Sequence, residues 1–242
     1  MSEFSKILGG TTSLWANAHP DDVLTEVGAI NELDPSAPKH MLVASLGRLT
    51  TINNYRVSYP GFTQDGGRFA EALGLNNYLR FSTTELHDYP DGKICGSIPN
   101  LAQAILKRAI GVGATVLIST LGLRDHPDHI AMGEATDLAG KLLALELGVP
   151  VTMVQFYNPG EIPPEGLAVV TAPAAPSHAL SAAMLNRSQH EVLPGVSLCG
   201  SKPEGWLSIL DDQYVVSPRT MADFSQYSIF DTTVATVEIV HD

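Results

Sequence analysis

Cysteine is scarce in this chain: Cys95 and Cys199 are its only two. They share no metal-type spacing and cannot build a disulfide framework, so each is expected to be a small buried hydrophobe. Positive charge is scarce as well. Fourteen Lys and Arg stand against 26 Asp and Glu, a formal net charge of −12. Gripping nucleic acid by its phosphates needs a basic face, and an anionic membrane surface repels the same excess. Neither is expected as a partner. No apolar run approaches the length of a membrane span. The opening MSEFSKILGG lacks the basic start and long apolar core of a secretion signal, which makes the cytoplasm the expected compartment. HExxH, a Walker loop, GxSxG and GxGxxG are all missing, so nucleotide binding and several hydrolase chemistries have no support.

What is present is an ordinary globular composition, 242 residues with 44% apolar and 17% charged. A chain of this size buries a sizeable core without staples, and we read it as a single domain over 1–242. Short apolar runs alternate with helical patterns, which implies an α/β fold of Rossmann-like type: a mainly parallel sheet with helices on both faces. Strands are expected at 13–18, 40–46, 77–82, 114–120 and 151–157. A helix is expected over 127–147, with Ala131, Ala135, Leu138, Leu142 and Leu145 as its apolar stripe. Gly148 and Pro150 end it. A second helix runs over about 98–110, with Lys107 and Arg108 near the negative end of its dipole. Further helices are expected near 66–73 and 177–190. Segments 47–66 and 84–97 read as long loops lining a crevice. The run LAVV in 167–170 reads as a short strand, and the tail 207–240 as strands that add antiparallel pairing near the C-terminus.

One tripeptide occurs twice. His19-Pro20-Asp21 is followed by Asp22, and His126-Pro127-Asp128 by His129. Each copy follows an expected strand and precedes a helical pattern. Proline holds the residue before it extended, is tolerated at the first helical position, and an Asp in the first turn complements the helix dipole. Two well-made helix starts account for the Pro and Asp, but not for histidine before proline twice, nor for the extra Asp and His. In a parallel sheet both strand ends lie on one edge, so both segments can meet in one crevice. Two histidines and a carboxylate suit a catalytic zinc with an open position, and further His and Asp groups remain for proton transfer.

ANAHPDDVLTEVGA resembles the first motif of the PIG-L/LmbE-like deacetylases, with Gly28 at the first position of their Gly pair. LGLRDHPDHIAMGEA resembles the second, with Gly133 in register. ASLG (44–47), RFAEALG (68–74) and RSQ (187–189) resemble smaller stretches, and the likeness spans about residues 13–190. It implies a Rossmann-like fold, a divalent metal, usually zinc, and hydrolysis of N-acetyl groups. Carried over by position, His19, Asp22 and His129 would bind the metal. Asp21 would be the general base toward the attacking water. His126 would polarise the acyl carbonyl, stabilise the oxyanion or protonate the leaving amine, and Asp128 would orient an imidazole. Arg68 would touch substrate.

The chain departs from that pattern at several positions. Val23 stands where the family usually has Glu, Ala29 replaces the second Gly, Arg48 an acidic residue and Asn186 a His. The implied substrate is a small molecule, an N-acetylated amino sugar or sugar conjugate; oligomeric state stays open, a homo-oligomer included. A non-sugar acyl-amine substrate, or a catalytically silent binding protein of the same fold, are the competing readings. Of the other residues, Trp15 is expected in the core, and His40, His87, His178, His190 and His241 away from any site.

Overall fold

The computed structural model describes residues 3–19, 22–45, 79–120, 126–157, 165–173 and 232–241. Pro20, Asp21, the loop 47–66, Arg68, the helices expected near 66–73 and 177–190, Cys199 and the tail up to 231 lie outside the described residues.

The elements follow in the order α1 (Glu3–Leu8), β1 (Ser13–Asn17), a 3-10 turn (Asp22–Thr25), α2 (Val27–Glu32), β2 (Lys39–Val43), β3 (Thr83–Leu86), a second 3-10 turn (Ile94–Ser97), α3 (Ile98–Val112), β4 (Val116–Thr120), α4 (Pro127–Leu147), β5 (Val151–Tyr157), β6 (Ala168–Pro173) and β7 (Thr232–Val240). They form one seven-stranded sheet in the order β3-β2-β1-β4-β5-β7-β6. The first five strands are parallel, and β7 runs antiparallel to both β5 and β6. This is the α/β architecture expected, antiparallel additions included, and Ala168–Val170 of LAVV lie on β6, with Leu167 just before it.

Both faces of the sheet are covered. Alternation along β1 sends Trp15 to one face and Leu14 and Ala16 to the other. The Trp15 face carries Met41, Ile118, Val154 and Phe156 and is closed by Phe4 and Leu8 of α1 and Ile30 of α2. Trp15 is fully buried and stacks on Phe156 at 5.8 Å. The opposite face carries Leu42, Leu117 and Met153 against α3 and α4. Strand order turns back between β1 and β4, and the carboxyl ends of those two strands open one crevice there.

Four local expectations are corrected. The third strand is 83–86, not 77–82: Leu79 and Phe81 feed the core from just before it. Polar TTEL forms the strand at the edge of the sheet, beside β2. Helix α3 continues to Val112 and is ended by Gly113 in the left-handed region (φ 70°). Arg108 therefore sits a turn inside, bonded to Thr83 and Glu85 of β3 rather than to the helix terminus. The apolar stripe of α4 is rotated: Leu138 and Leu145 are 38% and 70% exposed, while Ala131, Ala135, Ala139, Gly140 and Leu143 are buried. Small residues face inward because α4 lies close against the sheet and α3. Cys95 is exposed on the second 3-10 turn, not buried.

The close approach is tightest at Gly140, where an added Cβ would stand 2.4 Å from Met153 Sδ. Gly140→Val should destabilise the fold by about 1–3 kcal/mol through overpacking. Urea unfolding measures it; a midpoint equal to or above that of the parent would contradict this packing.

Candidate functional site

Both His-Pro-Asp segments open into the crevice. In the second, His126 is the last extended residue (φ −133°, ψ 122°) and Pro127 begins α4. The backbone N–H of Asp128 donates to His126 Nδ1 at 3.3 Å. In the first, helix does not begin at the motif. The His19 N–H donates to Asp22 Oδ2 at 2.8 Å, a 3-10 turn follows over Asp22–Thr25, and α2 starts only at Val27.

The two segments meet through side chains. His129 Nε2 lies 3.0 Å from Asp22 Oδ1, and His19 Nδ1 lies 3.8 Å from the same oxygen. On its other edge, His19 Nε2 is 3.2 Å from Asp128 Oδ2 and 3.3 Å from Asp91 Oδ1. The rings of His19, His126 and His129 have centroids 5.0–5.4 Å apart. One ring nitrogen from each of these three lies within 4.8 Å of the others, as do donor atoms of His19, Asp91, His126 and Asp128. His19, Asp22, Asp91 and Asp128 are all buried.

Asp128 holds the site together. Its carboxylate, fully buried, accepts the Gly92 N–H at 2.6 Å and the Ile94 N–H at 3.0 Å. Gly92 has φ 75°, which a residue with a Cβ takes up only with strain. That turn also brings in Asp91, a site residue that the motifs did not reveal. Its signal was present: Tyr89-Pro90-Asp91-Gly92 is a turn sequence shortly after a parallel strand, on the edge that carries both motifs. His19, Asp22, His126, Asp128 and His129 come together as expected. Asp21 and Arg68 lie outside the described residues.

The electrostatics divide the cluster. Burial pulls His19 down, but hydrogen bonds to Asp128, Asp22 and Asp91 outweigh it and hold the imidazole at about 10. Burial would raise Asp22, yet the charge of His129 and its hydrogen bond, with those of His19, keep the carboxyl well below its usual range. His129 is raised in return, Asp22 overcoming the cost of burial. Asp128 is lowered against burial by His19 and the two backbone amides. His126 is lowered, first by burial and then by the neighbouring His19 and His129 charges. It is the neutral imidazole of the group.

Imidazoles and carboxylates converging in a buried crevice are a donor set suited to a divalent ion such as zinc. No family model and no curated protein matches this chain. Solved structures do. The A40926 pseudoaglycone deacetylase Dbv21 shares 15% identity at a TM-score of 0.59, over 94% of this chain and 97% of its own. The N,N'-diacetylchitobiose deacetylase from Pyrococcus horikoshii shares 15% at 0.55, over 95% and 84%. GalB, the 4-carboxy-2-hydroxymuconate hydratase from Pseudomonas putida KT2440, shares 15% at 0.51, over 96% and 97%. The chain has their α/β fold.

Metal-free protein should show the His19 proton in its stability. The folded state holds that proton up to about 10 and the unfolded chain only to about 6.5, so the contribution is full below 6.5 and is lost as pH rises through 10. The advantage of chelator-treated parent over His19→Asn in thermal midpoint should therefore shrink between those limits, the parent falling more steeply. Parallel curves would contradict the charged His19.

Proposed function

We propose that the protein is a metal-dependent deacetylase of the LmbE/PIG-L-like kind. It hydrolyses an N-acetyl or similar N-acyl amide on an amino sugar or another small sugar-bearing molecule. The observation that carries this reading is Asp22, braced between His19 and His129 with the neutral His126 beside them. Fold alone does not choose the reaction, since the same fold carries a hydratase. The donor set and the proton positions support hydrolysis.

His19, Asp22 and His129 are the residues that would hold the ion, with zinc the best match to two imidazoles and a carboxylate. Bound there, a divalent ion supplies Lewis-acid polarisation of the acyl carbonyl and a lowered pKa for water. The chain's own groups do the rest. Asp21 accepts a proton from the attacking water. His126 takes the Asp128 N–H on Nδ1, which leaves its own proton on Nε2. That N–H donates a hydrogen bond to the carbonyl oxygen as negative charge develops, and the proton that Asp21 took from water passes to the departing amine. Asp128 and Asp91 fix the His19 ring by its Nε2 edge, as ligand histidines require. Arg68 reaches the substrate. The chain's net charge of −12 disfavours anionic phospholipid-linked sugars and favours neutral or cationic ones.

Metal analysis of purified protein tests the site. The parent should carry about one equivalent of divalent metal and His129→Ala much less; equal content would refute the ligand set. Asp21→Ala should keep the metal and lose roughly 10²–10⁴-fold in turnover. A panel of N-acetyl sugars against N-acyl amino acids, read by amine release, separates a sugar substrate from a non-sugar acyl-amine.

A further inference from the structure

Val23, at the position where a carboxylate is expected, packs fully buried in the core cluster with Phe4 and Trp15. Three residues later Glu26 is fully buried, and so is Asn17 at the end of β1. Asn17 Nδ2 donates to Glu26 Oε2 at 3.1 Å. Residues 17 and 26 flank the whole segment that carries His19, Asp21 and Asp22, so this one bond closes its base.

Glu26 stands at the N-cap position of α2 (φ −103°, ψ −12°), and its carboxyl makes no capping bond. Its backbone already links the turn to the helix: the Glu26 N–H donates to Val23 O, and Glu26 O accepts from the Ile30 N–H. Glu26 Oε1 and Asn17 Oδ1 are both buried acceptors with no partner among the described residues. A carboxylate there would leave both orphaned, with nothing to replace the water each gave up. A protonated carboxyl carries the one donor the pair lacks. Burial drives Glu26 toward that neutral form, well above the usual carboxylate range, and the charge of Asp22 adds to it against the Asn17 bond.

Resting on the metal reading of this site, we propose that Asn17 and Glu26 form a neutral amide–acid clasp across the base of the metal-binding turn, and that Glu26 is a positioning residue for His19 and Asp22. The clasp contributes hydrogen bonding and no charge. Glu26→Gln therefore keeps it, whereas Glu26→Met fills the same apolar volume and cannot make it.

The test uses zinc alone, by competition with a chromophoric chelator, and the visible spectrum of the Co2+-loaded protein. Urea unfolding of the metal-free forms reports the fold. Glu26→Met should still fold, less stably than the parent because the buried Asn17 amide loses its partner, bind zinc 10–100-fold more weakly, and show an altered Co2+ spectrum. Asn17→Ala should weaken zinc binding in the same way, and Glu26→Gln should retain parental affinity and spectrum. A folded Glu26→Met with parental affinity overturns the clasp, as does Glu26→Gln binding as weakly as Glu26→Met. If Glu26→Met does not fold, Asn17→Ala at parental affinity overturns it instead. A parent that binds no zinc removes the metal reading itself; a parent that binds while the variants match it removes only the clasp.

Discussion

A single carboxylate with no access to solvent, that of Asp128, joins three segments distant in sequence. It takes N–H groups from Gly92 and Ile94 after β3, and faces Nε2 of His19 after β1, from its own place in the first turn of α4. A charge buried this deeply is tolerated only when its oxygens are occupied. Any displacement of one segment would leave the carboxylate uncompensated. The crevice at the switch point is therefore held closed from beneath, and the geometry of His19, His126 and His129 follows from it.

Three imidazoles with centroids near 5 Å resist carrying positive charge together. In the metal-free protein the positive charge settles on His19 and His129, on either side of Asp22, and His126 stays neutral. Protons thus occupy the place suited to a dication. A divalent ion would displace them, and its binding is coupled to proton release. By the same charge logic His126, next to cations, resists protonation, and a neutral imidazole with Nδ1 taken by the Asp128 N–H has its hydrogen-bond donor on Nε2.

Much of this was legible in the sequence because it rests on local rules. Two His-Pro-Asp copies at strand-to-helix junctions place five of the clustered residues, and the strand pattern supplies the common edge. Gly148 ends α4 as read, in the left-handed region. The misreadings share a cause, which is that tertiary contacts overrode apolarity. Leu138 and Leu145 looked like the core stripe of α4, but a helix pressed against a sheet needs alanine and glycine on its inner face. Leu79 and Phe81 looked like a strand, but the paired edge is the polar TTEL beside them. Arg108 looked like a dipole partner, but it reaches Glu85 on β3. Asp91 and Glu26 carry no motif, and their meaning comes only from what they face.

The residues that would bind the ion and those that hold them in place are different residues, and most of the second set are acidic. Asp91 and Asp128 grip His19 from the edge away from Asp22, and Glu26 ties the turn to β1 through Asn17. An acid does different work in each setting. Next to imidazolium, Asp22 and Asp128 are stabilised as anions and set the charge of the crevice. Behind the turn, away from any cation, Glu26 is stabilised as the neutral acid and supplies only a hydrogen bond. Had Glu26 been ionised, its charge would add to the repulsion among Asp22, Asp91 and Asp128 in a region that water does not reach. Holding it neutral lets the fold brace the turn without adding a fourth negative charge to a crevice that must release a cation's worth of protons before it can accept a metal.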